Sequence, residues 1–207
     1  MGESAFAELA GAPATCRCAD AADRGTAGRL LFGSLAAPEY PLPDISTVSV
    51  PGRVHGLGRF TSDELRGALA AALPTALRAS LRREFEWHAC RGAFFHTDAH
   101  YGAVLFGAWC VAGPRREIIF ARHGTRVPAA PGDWVVFDPF EPHAVLDAGM
   151  DHYERKHFEG APPSLFLGFE LELDECVRQA FGIGTPRPGA PVLASSVAVN
   201  AESGALN

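Results

Sequence analysis

The chain reads as an α+β protein in which helices come first and a β-sandwich or barrel follows. Three observations predict this. One long leucine-rich helical pattern fills residues 61 to 87. After Glu86 the texture changes to short β-branched and aromatic runs separated by Gly/Pro turns, at the spacing of an all-β double sheet. Neither GxGxxG nor GKS/T occurs, so a nucleotide-binding α/β fold has no support.

Residues 1 to 28 mix Ala, Gly and small polar residues and read as a flexible arm with one short helix. A single domain is expected over 29–181. RLLFGSLA (29–36) predicts a first strand, and the four-proline stretch 37–53 predicts an irregular connection holding one strand, DISTVSV. TSDELRGALAAALPTALRASLRREFEW comes next. Ser62 or Thr61 can cap it, Glu64 lies in the first turn, and Leu65, Leu69, Leu73, Leu77 and Leu81 form an apolar stripe. Pro74 removes an N–H and predicts a break into two helices within 61–86. The strands expected after it are AFFH, AVLFGAWCV, EIIFAR, DWVVFD, HAVLD and SLFLGFELEL, with AGPRR, PAAPGD, PFEP and GAPP as turns. Residues 182–207, rich in Gly, Pro, Ala and Ser, read as a C-terminal tail.

Composition narrows the function. The chain is 47% hydrophobic over 207 residues, enough for a core, and its net charge of −6 gives no electrostatic footprint for nucleic acid. Polybasic stretches and apolar runs of membrane-spanning length are absent, and the N-terminus has no basic leader region, so a soluble, cytoplasmic protein with no membrane partner is expected. Lys156 is the one lysine, which makes a single Arg less informative than usual. Five widely spaced cysteines imply no disulfide framework, and Cys16-x-Cys18 is too tight for a usual zinc half-site.

FFHTDAHYG (94–102) carries the chemistry. If His96 and Asp98 end a strand, alternation points both to one face, where they can chelate one metal. His143, opening a strand after the apolar run DWVVFD, can supply a third ligand. Two histidines and one carboxylate on one triangular face leave positions open on an octahedral metal, the arrangement of non-haem Fe(II) oxygenases. A helical zinc pair from His96 and His100 fits poorly, because strands flank both.

From about Gly92 to Leu173 the sequence resembles the Fe(II)/2-oxoglutarate-dependent dioxygenases. The motifs that carry this are His96-Thr97-Asp98, Pro131-Gly132-Asp133 and Pro142-His143-Ala144-Val145, in that order. The resemblance implies a double-stranded β-helix (jelly-roll, cupin-like) core with N-terminal buttressing helices. It implies Fe(II) on His96, Asp98 and His143. It also implies 2-oxoglutarate and O2 as co-substrates, and hydroxylation, desaturation or ring closure of a small molecule. The family anchors the distal carboxylate of 2-oxoglutarate with a basic residue, often in Arg-x-Ser on the last strand, where this chain reads Pro162-Pro163-Ser164. A dicarboxylate still needs a cationic partner. The candidates are Arg116, then Arg122 on the same face of EIIFAR, then Arg155, with Ser164 beside them. Tyr101 and His100 are candidate substrate contacts. His152 and His157 flank a solvated loop. A cupin-like metalloenzyme using no keto acid, and a non-catalytic jelly-roll binding module, are the alternatives; the missing strand arginine favours the first of these.

Overall fold

A computed structural model describes residues 3–11, 14–18, 21–185, 187–194 and 198–206. Its first strands are β1 (Ala5–Glu8), β2 (Thr15–Cys18), β3 (Ala21–Gly25), β4 (Arg29–Ser34) and β5 (His55–Thr61). Helix α1 (Asp63–Ala72) and a 3-10 turn (Thr75–Ser80) come next, then β6 (Glu84–Cys90) and β7 (Ala93–His96). The chain continues through β8 (Val104–Ala112), β9 (Arg116–Phe120), β10 (Thr125–Ala129), β11 (Asp133–Phe137) and β12 (His143–Asp147). It closes with α2 (Arg155–Phe158), β13 (Ser164–Glu172), α3 (Glu175–Phe181) and β14 (Val192–Ala194).

Two antiparallel sheets build the core. One has the order β1-β4-β11-β8-β13-β6-β5, the other β10-β9-β12-β7. From β6 to β13 the chain passes repeatedly between them, which gives a mixed α+β, jelly-roll-like arrangement. Alternation sorts the side chains into layers. Phe106, Ala108 and Cys110 of β8 join Ile118, Phe120, Val135, Phe137, Val145 and Phe166 in the cluster between the sheets. Leu105, Trp109 and Val111 point the other way and pack with Leu65, Leu69, Leu73, Leu77 and Leu81 beneath α1 and the 3-10 turn. The leucine stripe is therefore the outer cover of the large sheet, each buried leucine contributing roughly 1.5–3 kcal/mol.

Helix α1 starts where Ser62 Oγ accepts the Leu65 N–H at 3.3 Å and ends before Pro74. Thr75–Ser80 form a 3-10 turn rather than a second α-helix, and Glu84–Trp87 belong to β6. Pro74 forces the break, and pairing of β6 with β13 and β5 then outweighs local helix preference. DISTVSV forms no strand; Ser46 and Thr47 turn instead. PAAPGD is only partly a turn, because Pro128 lies in β10, the edge strand of the small sheet, where a missing N–H is tolerated. Gly132 makes the tight turn into β11 at φ 102° and donates its N–H to Cys110 O.

The segment 1–28 contains strands and no helix among its described residues. β1 pairs with β4, and β2 pairs with β3 and β14. Cys16 is buried; the Cys18 side chain lies outside the described residues. Near the C-terminus, Ala201 O accepts the Phe95 N–H of β7. No described helix is long and apolar enough to cross a membrane.

Candidate metal centre

β7 and β12 are neighbours in the small sheet, and their register sets His96 opposite His143. Asp98 lies two residues beyond the end of β7, and its N–H donates to Pro139 O at 2.7 Å. The loop 138–142 that offers this carbonyl is held from below. Asp138 is fully buried, takes two hydrogen bonds from Arg24 at 3.1 and 2.9 Å, and accepts the Ala27 and Phe140 N–H groups.

Three ligand atoms converge. One atom each from His96, Asp98 and His143 lie within 4.8 Å of one another. His143 Nε2 is 3.4 Å from Asp98 Oδ2, His96 Nε2 is 3.8 Å from Asp98 Oδ1, and the two rings are 4.4 Å apart. Both imidazoles are oriented alike. His96 Nδ1 bonds Phe94 O at 2.7 Å and His143 Nδ1 bonds Glu141 O at 2.8 Å. A carbonyl can only accept, so Nδ1 carries a proton, and in the neutral ring Nε2 offers its lone pair toward the centre.

Electrostatics prepare the same state. Burial, aided by neighbouring His143, lowers His96 to about 4, so its ring is neutral at pH 7. Burial alone would raise Asp98, but the neighbouring His143 and His96 imidazoles outweigh it and hold the carboxyl at about 2. Two imidazole nitrogens and one carboxylate within reach of one another fit a divalent cation such as Fe(II).

A cavity of about 320 Å³ opens beside the triad. Its floor is apolar, made by Cys90, Ala108, Ile118, Val145 and Phe166. His100 and Tyr101 line it, and Tyr101 packs 4.9 Å from Phe106. Burial, with the field of Glu86 and Asp98, raises the Tyr101 phenol far above its ordinary value.

The structure does not bring the candidate anchors to this cavity. Arg116 is 1% exposed and lies beneath the floor. Its Nε donates to Asp147 at 3.0 Å, its Nη1 to Ser164 Oγ at 2.8 Å and Cys90 O at 3.1 Å, and its Nη2 to Pro162 O at 2.9 Å. Phe158 covers it at 5.6 Å. Arg122 pairs with buried Glu141 at 3.2 Å, beside His123, whose imidazole is raised by the same carboxylate. Arg155 is exposed and near Glu159. His157 pairs with Asp147 at 2.7 Å and His152 lies 3.7 Å from Glu154.

Sequence reasoning missed Arg59, Glu86 and His88, which line the cavity from β5 and β6. A signal existed. EFEWHA alternates polar and apolar residues, with Phe85, Trp87 and Ala89 buried and Glu84, Glu86 and His88 on the other face.

No protein-family model matches the chain, and no curated protein sequence does. Three solved structures are similar to it at low identity. A candidate mannose-6-phosphate isomerase from Ralstonia eutropha JMP134 shares 16% identity over 64% of this chain and 99% of that one, with a TM-score of 0.30. A cupin 2 domain-containing protein from Halorhodospira halophila shares 15% over 77% and 83%, with a TM-score of 0.33. A Pseudomonas putida prolyl-4-hydroxylase shares 17% over 63% and 78%, with a TM-score of 0.34. By its own strand order and the convergence of its side chains, the chain has a jelly-roll-like β fold carrying a His-His-Asp triad that could hold a metal.

Proposed function

We propose that the protein is a mononuclear non-haem Fe(II) oxygenase acting on a small molecule held in the cavity beside His96, Asp98 and His143. The observation that carries this reading is the convergence of two imidazole Nε2 atoms and one carboxylate at the edge of an apolar cavity. His96, Asp98 and His143 would hold a ferrous ion, which would supply oxidative chemistry toward a molecule in the cavity. The protein's part is orientation and exclusion. Phe94 O and Glu141 O fix the two rings. Pro139 O fixes the Asp98 backbone. Phe137, 4.7 Å from the His143 ring, together with Ile118 and Phe166, keeps water from the inner side.

Within this chemistry, 2-oxoglutarate is the co-substrate supported by the ordered motifs His96-Thr97-Asp98, Pro131-Gly132-Asp133 and Pro142-His143. A second reading, a cupin-like metalloenzyme that uses no keto acid, is favoured by one observation: Arg116 is neutralised by Asp147 and spends its donors on Ser164, Cys90 and Pro162. A dicarboxylate reaching for that guanidinium would have to displace these partners.

The test is an anaerobic titration of the metal-free protein with Fe(II), then with 2-oxoglutarate, monitored in the visible range. Fe(II) uptake abolished by His143→Ala supports the oxygenase centre. A visible band on adding 2-oxoglutarate supports the keto-acid form, and Fe(II) uptake without the band supports the second reading. No uptake of any divalent cation overturns both.

A further inference from the structure

β6 turns Glu84, Glu86 and His88 to one face, and Glu86 and His88 reach the same cavity as the metal ligands. The large sheet thus supplies a polar wall facing the small sheet that carries the triad. That wall has an imbalance of charge. Arg59 is shared by two carboxylates, Glu86 at 3.1 Å and Glu84 at 3.6 Å, while nearby Glu170 is taken by Arg82 at 2.9 Å. Arg59 is 52% exposed and Glu86 23%, so solvent screens the cation more than the carboxylate.

The other groups on this wall, His88, Tyr101 and Phe106, carry no positive charge. Burial holds His88 below its ordinary value, so its ring is neutral; its Nε2 is buried, 3.9 Å from Glu86, and has no hydrogen-bond partner. Tyr101 and Phe106 stand beside it, and Phe106 packs 5.7 Å from the His88 ring. Aromatic faces with a carboxylate attract a cation and repel an anion. The backbone is bare where these groups turn in: a Cβ on Gly56 would lie 2.7 Å from Glu86 Oε1, and one on Gly168 would lie 2.7 Å from His88 Nε2.

We propose that Glu86, His88, Tyr101 and Phe106 form a subsite for a protonated amine, and that the molecule turned over at the metal centre has an apolar body and an ammonium group. That the bound amine is a substrate rests on the oxygenase reading above; that it binds here does not. The apolar floor of Cys90, Ile118 and Phe166 takes the body, and a cavity of about 320 Å³ suits a molecule of one ring and a short chain.

The test uses the full metal-free chain and two probes of similar shape, 2-phenylethylamine and 3-phenylpropanoate, by isothermal titration calorimetry. The amine binds and the acid does not, or binds at least about tenfold more weakly. Glu86→Gln weakens the amine by about tenfold, as expected for loss of a charge-assisted hydrogen bond. Arg59→Gln has the opposite sign and tightens the amine, because it frees the Glu86 carboxylate. Circular dichroism shows whether each variant is folded; should Glu86→Gln not fold, Arg59→Gln carries the test. Preference for the acid, a folded Glu86→Gln with unchanged amine affinity, or weaker amine binding in Arg59→Gln overturns the subsite. Amine binding by a chain that takes up no Fe(II) overturns the oxygenase reading and leaves the subsite standing. Fe(II) uptake without amine binding does the reverse.

Discussion

Strand β12 carries a histidine at one end and a carboxylate at the other. At the first, His143 faces His96 and Phe120; at the second, Asp147 faces Arg116. Both ends bury polar groups between the same two sheets, yet they are finished differently. At the Asp147 end Arg116 donates to a carboxylate, a hydroxyl and two carbonyls. At the His143 end each ring has one nitrogen satisfied by a backbone carbonyl, and the other is left directed at a neighbouring ligand atom. Residue type does not separate the two. The difference is whether the hydrogen-bonding capacity is used up inside the protein. A saturated cluster holds the sheets together; one with convergent lone pairs is available to a metal.

Removing His143 gives the largest expected effect. His143→Ala should abolish detectable Co(II) or Fe(II) binding, measured by visible absorption or calorimetry. Unfolding in urea should show a loss of no more than about 2 kcal/mol, because only an aromatic-lined gap beside Phe120 and Phe137 is left. Retained metal binding would break the comparison at its functional end.

Arg116→Met should behave in reverse. It takes from the Asp147 carboxylate its buried partner, leaving it His157 alone, and leaves Ser164, Cys90 and Pro162 without their donor, a cost of about 3 kcal/mol. That cost sits at the low end for a buried pair because Asp147 is 36% exposed. Metal affinity per folded molecule should not change; a parallel loss would show that the two ends act as one unit.

Ser164→Ala sharpens the same point with a smaller change. It removes one acceptor from a buried guanidinium and should cost about 1–2 kcal/mol in urea unfolding. The smallest effect is on reactivity. Burial pushes the thiol of Cys90 up to about 11 and that of Cys110 up to about 12, so both stay protonated at pH 8. Iodoacetamide treatment and then peptide mass spectrometry should show exposed Cys176 labelled on the order of a hundredfold faster than either. Fast labelling of Cys90 would mean that the cavity floor opens.

Much of the β-rich half was legible in the sequence because alternation is a local signal. AVLFGAWCV, DWVVFD and SLFLGFELEL each hold a strand, and their two faces separate into two clusters. The leucine stripe was legible for the same reason. EFEWHAC was not, because Glu, Phe and Trp continue a helical pattern as readily as they alternate in a strand, and only pairing with β13 and β5 decides it. Residues 1–28 lack a strong local preference; β1 exists because β4 offers it an edge. DISTVSV has β-branched residues but finds no strand to pair with, and turns instead.

The sequence by itself determined the reach of the ligands. His96 and Asp98 are two residues apart, so the chain keeps them close whatever surrounds them, although Asp98 lies beyond the end of β7 and its backbone is set by Pro139 O. It likewise determined that Arg116 points inward with Ile118 and Phe120. Only the tertiary structure decided what that inward guanidinium does. Its partners come from Cys90, Asp147, Pro162 and Ser164, tens of residues away in both directions, and no local pattern encodes their meeting. The same holds for Glu86 and His88. Alternation sets which face they occupy, but facing the metal ligands across a cavity depends on how two sheets stack.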